Sequence, residues 1–253
     1  MNDQLPTNQP NPLDFTPFDK MARLTRECII TEKIDGTNAQ IFIISETERA
    51  ALVAAGHADE KAFPTPAATV GEFHIYAGSR TRWIRPKNPG EKGDPDNYGF
   101  AAWVRDNASE LVKLGPGKHF GEWYGRGINT GYGLEERRFA LFNVSRWQTQ
   151  SDVMVPGVWD AVNDSVGPSC CFVVPTIWRG NFDTRDTDNA IEMLRSQGSF
   201  AVPGFMKPEG IVVFHIASGK LFKKTLENDA SPKSVPGLTN PRQLSAGVEA
   251  AKE

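Results

Sequence analysis

Apolar and polar residues alternate with a period of two along much of this chain, and that pattern predicts strands. It predicts them over residues 39–44, 72–77, 118–124, 139–147, 170–177, 210–217 and 220–226. Ser218-Gly219 is a hairpin-type turn between the last two. Helical signals are few. The Ala/Glu-rich stretch 46–62 is one. Residues 100–114 are a second, with Val104, Ala108, Leu111 and Val112 on one face. Residues 188–196 are a third, with Thr187 as the expected N-cap. Loops rich in Pro, Gly, Asp and Asn fall at 63–69 and 87–98. No repeat appears, and strands and helices do not alternate as in a parallel α/β fold. The expectation is an α+β fold built on antiparallel β-sheets flanked by helices. It is organised as a polar arm at 1–13, one domain at 14–230 and a Pro/Ser-rich tail at 231–253.

Composition narrows the class without naming an activity. The 253 residues suffice for a full core, and 39% hydrophobic with 23% charged residues is ordinary for a globular chain. No apolar run approaches the roughly 18 residues of a membrane span, so no membrane partner is expected. The start of the chain lacks the apolar core of a signal peptide. Three cysteines, two of them adjacent, make neither a disulfide framework nor a zinc spacing, and the expected setting is the cytoplasm. A net charge of −3 argues against non-specific coating of nucleic acid. Cations nonetheless cluster at Arg80, Arg82, Arg85 and Lys87, at Arg137, Arg138 and Arg146, and at Lys220, Lys223 and Lys224.

Chemistry-bearing residues sit at the strand ends. Glu32-Lys33-Ile34-Asp35-Gly36-Thr37-Asn38 places a lysine before an Asp-Gly turn. A lysine whose amine is held neutral can attack phosphorus, although free lysine titrates near 10.4 and its site must disfavour the ammonium form. Downstream lie Gly78-Ser79-Arg80-Thr81-Arg82, Gly121-Glu122-Trp123-Tyr124-Gly125, Phe139-Ala140-Leu141-Phe142-Asn143, Glu209-Gly210-Ile211-Val212-Val213 and Lys223-Lys224. This set suits nucleotidyl transfer. Phe142 offers a purine a stacking face. Glu122 offers a ribose hydroxyl an acceptor. Arg80, Lys223 and Lys224 offer cations to a triphosphate. Glu209 is a hard oxygen ligand for Mg²⁺ or Mn²⁺. Gly115-Pro116-Gly117-Lys118-His119 lacks the length and the hydroxyl of a Walker A loop, and the four histidines have no metal-ligand spacing.

The order of these motifs resembles the covalent nucleotidyltransferase superfamily of polynucleotide ligases and mRNA capping enzymes. Glu-Lys-Ile-Asp-Gly-Thr-Asn most resembles the ATP-dependent RNA ligases of the phage and kinetoplastid editing type. The likeness runs from about Thr31 to Leu226. It implies a nucleotidyltransferase (ATP-grasp-like) domain with the nucleotide pocket between sheets. It also implies three steps: Lys33 takes AMP from ATP, the AMP passes to an RNA 5′-phosphate, and a 3′-hydroxyl displaces it. By the same resemblance Glu32, Asp35, Gly36, Asn38, Arg80, Glu122, Phe142, Lys223 and Lys224 belong to the ATP site, Glu209 to the metal, and Arg82 and Arg85 to RNA.

Two departures qualify the likeness. The last motif of the family reads Lys-x-Lys, whereas here Lys223 and Lys224 are adjacent and would face opposite sides of a strand. Lys223 is the preferred phosphate ligand, with Lys224 the alternative. Residues 225–253 are also too short for an OB-fold or helical C-terminal domain. The expectation is therefore a bare catalytic domain with an accessory protein or domain for substrate binding, in a bacterial or phage-infected cell. Arg80 and Arg82 are interchangeable as phosphate ligands at this level. Trp83 is a candidate to stack on a nucleobase. The rival readings are a minimal DNA ligase or capping-type guanylyltransferase, and a non-catalytic nucleotide or RNA-end binding module.

Overall fold

A computed structural model describes residues 24–56, 63–148 and 166–227 of the chain. The arm at 1–13, the tail at 231–253, residues 57–62 of the first expected helix and Trp159 lie outside the described residues. In chain order the elements are β1 (Glu27–Lys33), β2 (Thr37–Ser45), α1 (Glu46–Ala54), β3 (Ala68–Val70), β4 (Phe73–Ser79) and β5 (Trp83–Ile84). Then come α2 (Phe100–Asp106), α3 (Ala108–Leu111), β6 (Gly117–Gly125), β7 (Arg137–Leu141) and α4 (Val144–Trp147). β8 (Cys171–Val173), β9 (Thr176–Asn181), α5 (Thr184–Gln197), β10 (Gly210–His215) and β11 (Lys220–Thr225) complete the set.

The expected α+β architecture is present as two sheets. A four-stranded antiparallel sheet runs β11-β10-β1-β9. A seven-stranded sheet runs β3-β4-β2-β6-β7-β8, with β5 also paired to β4, and β7 with β8 is its parallel pair. The chain passes from the small sheet to the large one between Lys33 and Thr37, so the Asp-Gly turn is the joint between them.

Each sheet packs one face against helices. Cys28, Ile30, Ile211 and Val213 of the small sheet pack with Ile191 and Leu194 of α5 in one cluster. Alternation then turns Ile29, Thr31 and Lys33 the other way. In the large sheet Ala39, Ile41, Ile75, Trp123 and Phe139 cluster with Phe100, Val104 and Leu111 of the helices. Phe100 lies 5.1 Å from Phe139 and 5.4 Å from Trp123 between ring centroids, which locks α2 to the sheet. Alternation leaves Asn38, Gln40, Phe120 and Glu122 on the opposite face.

Several boundaries differ from the sequence pattern. α1 begins behind Ser45, whose hydroxyl accepts from the Glu48 N–H while the Glu48 carboxylate accepts from the Ser45 N–H, a complete capping box. The expected helix at 100–114 is broken at Asn107 into α2, α3 and a 3₁₀ turn. α5 begins at Thr184 rather than 188, because Asp183 caps it by accepting from the Arg185 N–H. Thr187 instead donates to the Thr184 carbonyl inside the first turn. The strand expected at 139–147 stops at Leu141, where Asn143 accepts from the Arg146 N–H and starts α4.

Candidate active site

The small sheet delivers three of the expected groups to one corner. Lys33 is the last residue of β1, and its register partner on β10 is Gly210. Glu209, one residue before that partner, therefore reaches the lysine, and the Lys33 ammonium donates to its carboxylate. Both side chains are partly open, 21% and 31% exposed. Gly210 has φ 154°, and a Cβ there would meet the Lys224 carbonyl oxygen at 2.2 Å, so a side chain at this position would push β11 away.

The adjacent lysines are told apart by register. Lys223 pairs with Val212, which pairs with Thr31, so Lys223 lies on the face that carries Lys33. Lys224 pairs with Ile211, which pairs with Glu32, on the face covered by α5. There the Lys224 amine donates to Asp188 of α5 at 2.5 Å. Strand alternation thus places Lys223 and Lys224 on opposite faces, with Lys224 toward the helix.

Glu32 lies on that same helix-covered face. It is 1% exposed, and its carboxylate accepts from the Ser199 hydroxyl at 2.6 Å and from the Phe200 and Ala201 N–H groups at 2.8 and 2.9 Å. Burial raises its pKa, and those three bonds oppose the rise. Its side chain holds the turn after α5.

The joint is held by residues that the motif reading missed. The Asp35 N–H donates to the Tyr132 hydroxyl at 2.9 Å. The Asp35 carboxylate accepts from the Asn129 amide at 2.9 Å and from the Thr130 N–H at 3.3 Å. The same Asn129 amide reaches the Gly36 carbonyl at 2.8 Å. Asp35 thus fastens the turn to the 126–133 loop. Asn129 and Tyr132 have φ of 45° and 54°, left-handed conformations that cost a non-glycine residue energy and collect at functional sites. The glycine spacing of 125–133 was the available sequence signal. Gly36 is dictated by space, since a Cβ there would lie 2.5 Å from the Trp123 carbonyl oxygen and 2.9 Å from Glu122 Cγ.

The large sheet supplies the opposite wall. Glu122 pairs with Asn38 across β6 and β2 and sits beside Lys33, Asp35 and Glu209. Burial pushes its pKa up to about 7, with Glu209 and Asp35 adding to the rise and Lys33 and the Gly36 N–H opposing it. Near neutral pH it populates both forms, so it can accept from or donate to a hydroxyl. Phe142 follows β7 and is 40% exposed, and its N–H donates to the Phe120 carbonyl at 3.0 Å. Arg80 is exposed at the β4–β5 hairpin tip, where the Ser79 N–H donates to the Arg82 carbonyl at 2.8 Å.

The other two arginines are engaged nearby. Arg82 donates to the Asp94 carbonyl at 2.8 Å. Arg85 grips Glu91 with two bonds of 2.9 and 2.5 Å, and this pairing holds Glu91 at about 2. The fork of Arg85 is filled by a carboxylate in this structure. Among the described residues no group of three or more His, Cys, Asp or Glu could hold a metal ion by itself.

The sequence profile of the RNA ligase family matches residues 26–225, which includes every element from β1 to β11. The chain belongs to the RNA ligase family. A comparison with curated proteins returned no match. Among solved structures, a Naegleria gruberi RNA ligase variant with ATP and Mn is 15% identical, with 81% of this chain and 51% of that one aligned at a TM-score of 0.43. An apo variant of that ligase is 14% identical over 83% and 53% of the two chains, at 0.44. The same ligase with PPi is 15% identical over 79% and 50%, at 0.42. The chain spans about half the length of the solved structures it matches. No helix among the described residues is long and apolar enough to cross a membrane.

Proposed function

We propose that this member of the RNA ligase family is the adenylyltransferase part of an ATP-dependent RNA ligase. The observation that carries the reading is Lys33 beside Glu209, on the face of the small sheet that also carries Lys223, with Glu122 opposite. In the first step the Lys33 amine attacks the α-phosphorus of ATP and loses a proton. A nitrogen–phosphorus bond forms, the bond to the bridging oxygen breaks and pyrophosphate leaves. In the second, an RNA 5′-phosphate oxygen attacks the same phosphorus, and the amine is released to take a proton. In the third, a 3′-hydroxyl attacks the 5′-phosphate, AMP leaves and the strand is sealed.

As an ammonium Lys33 has no lone pair, so it must give up a proton before it attacks, and the Glu209 carboxylate is within reach of that proton. A carboxylate with an exposed edge fits a divalent cation that takes its other oxygens from nucleotide phosphates and water, as Mg²⁺ does. Glu209 would hold that Mg²⁺ or Mn²⁺, which when bound supplies neutralisation of phosphate charge. Lys223 and Arg80 position the phosphates, Glu122 with Asn38 the ribose, and Phe142 the adenine. Positioning and charge stabilisation carry the rate.

Intact-mass spectrometry after incubation with ATP and metal tests the reading. An AMP-sized increment that disappears in Lys33→Ala is the expected result. No increment with any nucleoside triphosphate would leave a non-catalytic nucleotide or RNA-end binding module. An increment from GTP alone would indicate a capping-type guanylyltransferase, and sealing of DNA nicks but not RNA a minimal DNA ligase.

A further inference from the structure

One row of the large sheet carries three exposed aromatics in register. Trp83 on β5 pairs with Gly78 on β4, Gly78 with Gln40 on β2, and Gln40 with Phe120 on β6. The ladder continues from Phe120 to Phe142, since Gly121 pairs with Leu141 and the Phe142 N–H donates to the Phe120 carbonyl. Directly paired residues project to the same side. The side is the one that holds Glu122 and Asn38, two residues further along the strands. Trp83 is 38% exposed, Phe120 47% and Phe142 40%. At about 4.8 Å per strand the row runs roughly 19 Å from Phe142 to Trp83.

Single exposed aromatics are ordinary on protein surfaces. An aligned set leading out of a nucleotide site is not accounted for by packing, because a ring placed for core stability would be covered. The row contains no carboxylate. Lys118, on the next row away from the site, is exposed and stands 6.0 Å over the Phe42 ring, which itself lies 6.0 Å from Trp83. Arg80 and Arg82 lie on the hairpin that leads into Trp83, and Arg82 spends its bond on a neutral carbonyl. Aromatic faces interleaved with cations are what a single-stranded nucleic acid needs: bases stack and phosphates are neutralised, with little demand on sequence.

We propose that Phe120 and Trp83 form a base-stacking track that carries the RNA strand out from the adenylate pocket. Phe142 serves the adenine at the inner end, and the RNA bases lie on the two outer rings. Lys118 and Arg80 flank the backbone. The proposal rests on the RNA ligase reading for the identity of its occupant.

Fluorescence anisotropy of the full chain with a short, labelled, 5′-phosphorylated single-stranded RNA tests it. Phe120→Ala and Trp83→Ala are each expected to weaken binding by about 5- to 100-fold, the usual effect of removing one stacked base partner. Phe120→Leu, which keeps apolar bulk without the ring, should weaken it as alanine does, and Phe120→Tyr should bind within about twofold of wild type. Uptake of label from ATP on Lys33 is measured in the same variants. Wild-type RNA affinity in both alanine variants would overturn the track and leave the face to a protein partner. Loss in Phe120→Tyr as large as in Phe120→Leu would reduce Phe120 to a structural role. A wild-type chain that takes no label but binds RNA through these rings would instead sink the ligase reading and spare the track.

Discussion

The two walls of the site are made of the same material, antiparallel strand, and carry opposite kinds of chemistry. The small sheet presents charge: Lys33 ends β1, Glu209 immediately precedes β10, and Lys223 lies on β11 on the face of Lys33. The large sheet presents rings and amides: Asn38, Gln40, Phe120 and Phe142, with Glu122 as its one inward carboxylate on β6. Charges that must trade partners gain from being close and few. Groups that recognise a base or a ribose gain from a broad, rigid, less polar surface. The chain joins the walls at Lys33–Thr37 and again between β8 and β9, and Glu122 is a place where the second wall senses the charge of the first. The difference assigns reaction to one wall and recognition to the other, and substitutions on each should separate the two.

The largest effect belongs to the reacting wall. Lys33→Ala should reduce covalent AMP to background while the melting temperature stays near wild type, since the lysine is partly exposed and its ion pair with Glu209 is open to solvent. Retained labelling would move the nucleophile elsewhere. Glu209→Gln should follow, with adduct formation slowed on the order of a hundredfold, as when one preorganised electrostatic contact is lost. Raising the Mg²⁺ or Mn²⁺ concentration should recover part of that rate, and a full rate at ordinary concentration would exclude Glu209 as the cation's ligand.

At the joint the expected effect is on stability as well as rate. Gly36→Ala forces a methyl against the Trp123 carbonyl at 2.5 Å, and overpacking of this kind costs about 1–3 kcal/mol. A denaturant midpoint equal to wild type would mean that the turn can shift without loss. Glu122 gives a pH signature. Its pKa is raised from 4.5 to about 7 in the folded chain, so between those values the folded state holds a proton that the unfolded state has released. Stability therefore falls as pH rises through that window, by up to about 3 kcal/mol. Glu122→Gln should remove that share of the slope. Glu32, whose pKa is also raised, leaves a residual slope of the same sign. Denaturation curves across the window that match in both proteins would contradict the assignment.

Much of the reacting wall was legible because its motifs are local. Lys-x-Asp-Gly, Glu-Gly and Lys-Lys each sit on one strand end, and alternation then fixes their facing once the register is known. What was not legible depends on partners outside each motif. Glu32 looks like a site residue beside Lys33, yet its three donors come from residues 199–201. Asp35 looks like a ligand, yet Asn129 and Thr130 claim it. Arg85 reads as part of a basic cluster, yet Glu91 fills its fork. Composition and spacing report which groups are near in the chain, and these three were decided by hydrogen bonds formed only on folding. Helix starts failed for a smaller reason: Asp183 caps better than Thr187 and won four residues earlier. On the large sheet Phe120 carried no motif of its own, and only the pairing of five strands put it in line with Trp83 and Phe142.

The smallest effect is also the sharpest discriminator, because it compares two neighbouring lysines on one strand. Lys223 shares the face of Lys33, so Lys223→Ala removes a cation from the side where triphosphate charge must be met. Its adduct rate should fall about ten- to hundredfold with metal and ATP saturating. Lys224 is turned toward α5 and paired with Asp188, whose side chain is 65% exposed. Exposed pairs of this kind contribute about 0–1 kcal/mol, so Lys224→Ala should change stability by no more than that and the adduct rate by less than about twofold. The contrast depends on alternation alone, since the two residues share composition, charge and neighbourhood. Equal losses in both variants would mean that β11 twists or slips by one residue when ATP binds. A loss confined to Lys224→Ala would reverse the assignment of faces, and with it the claim that the charged wall ends at Lys223.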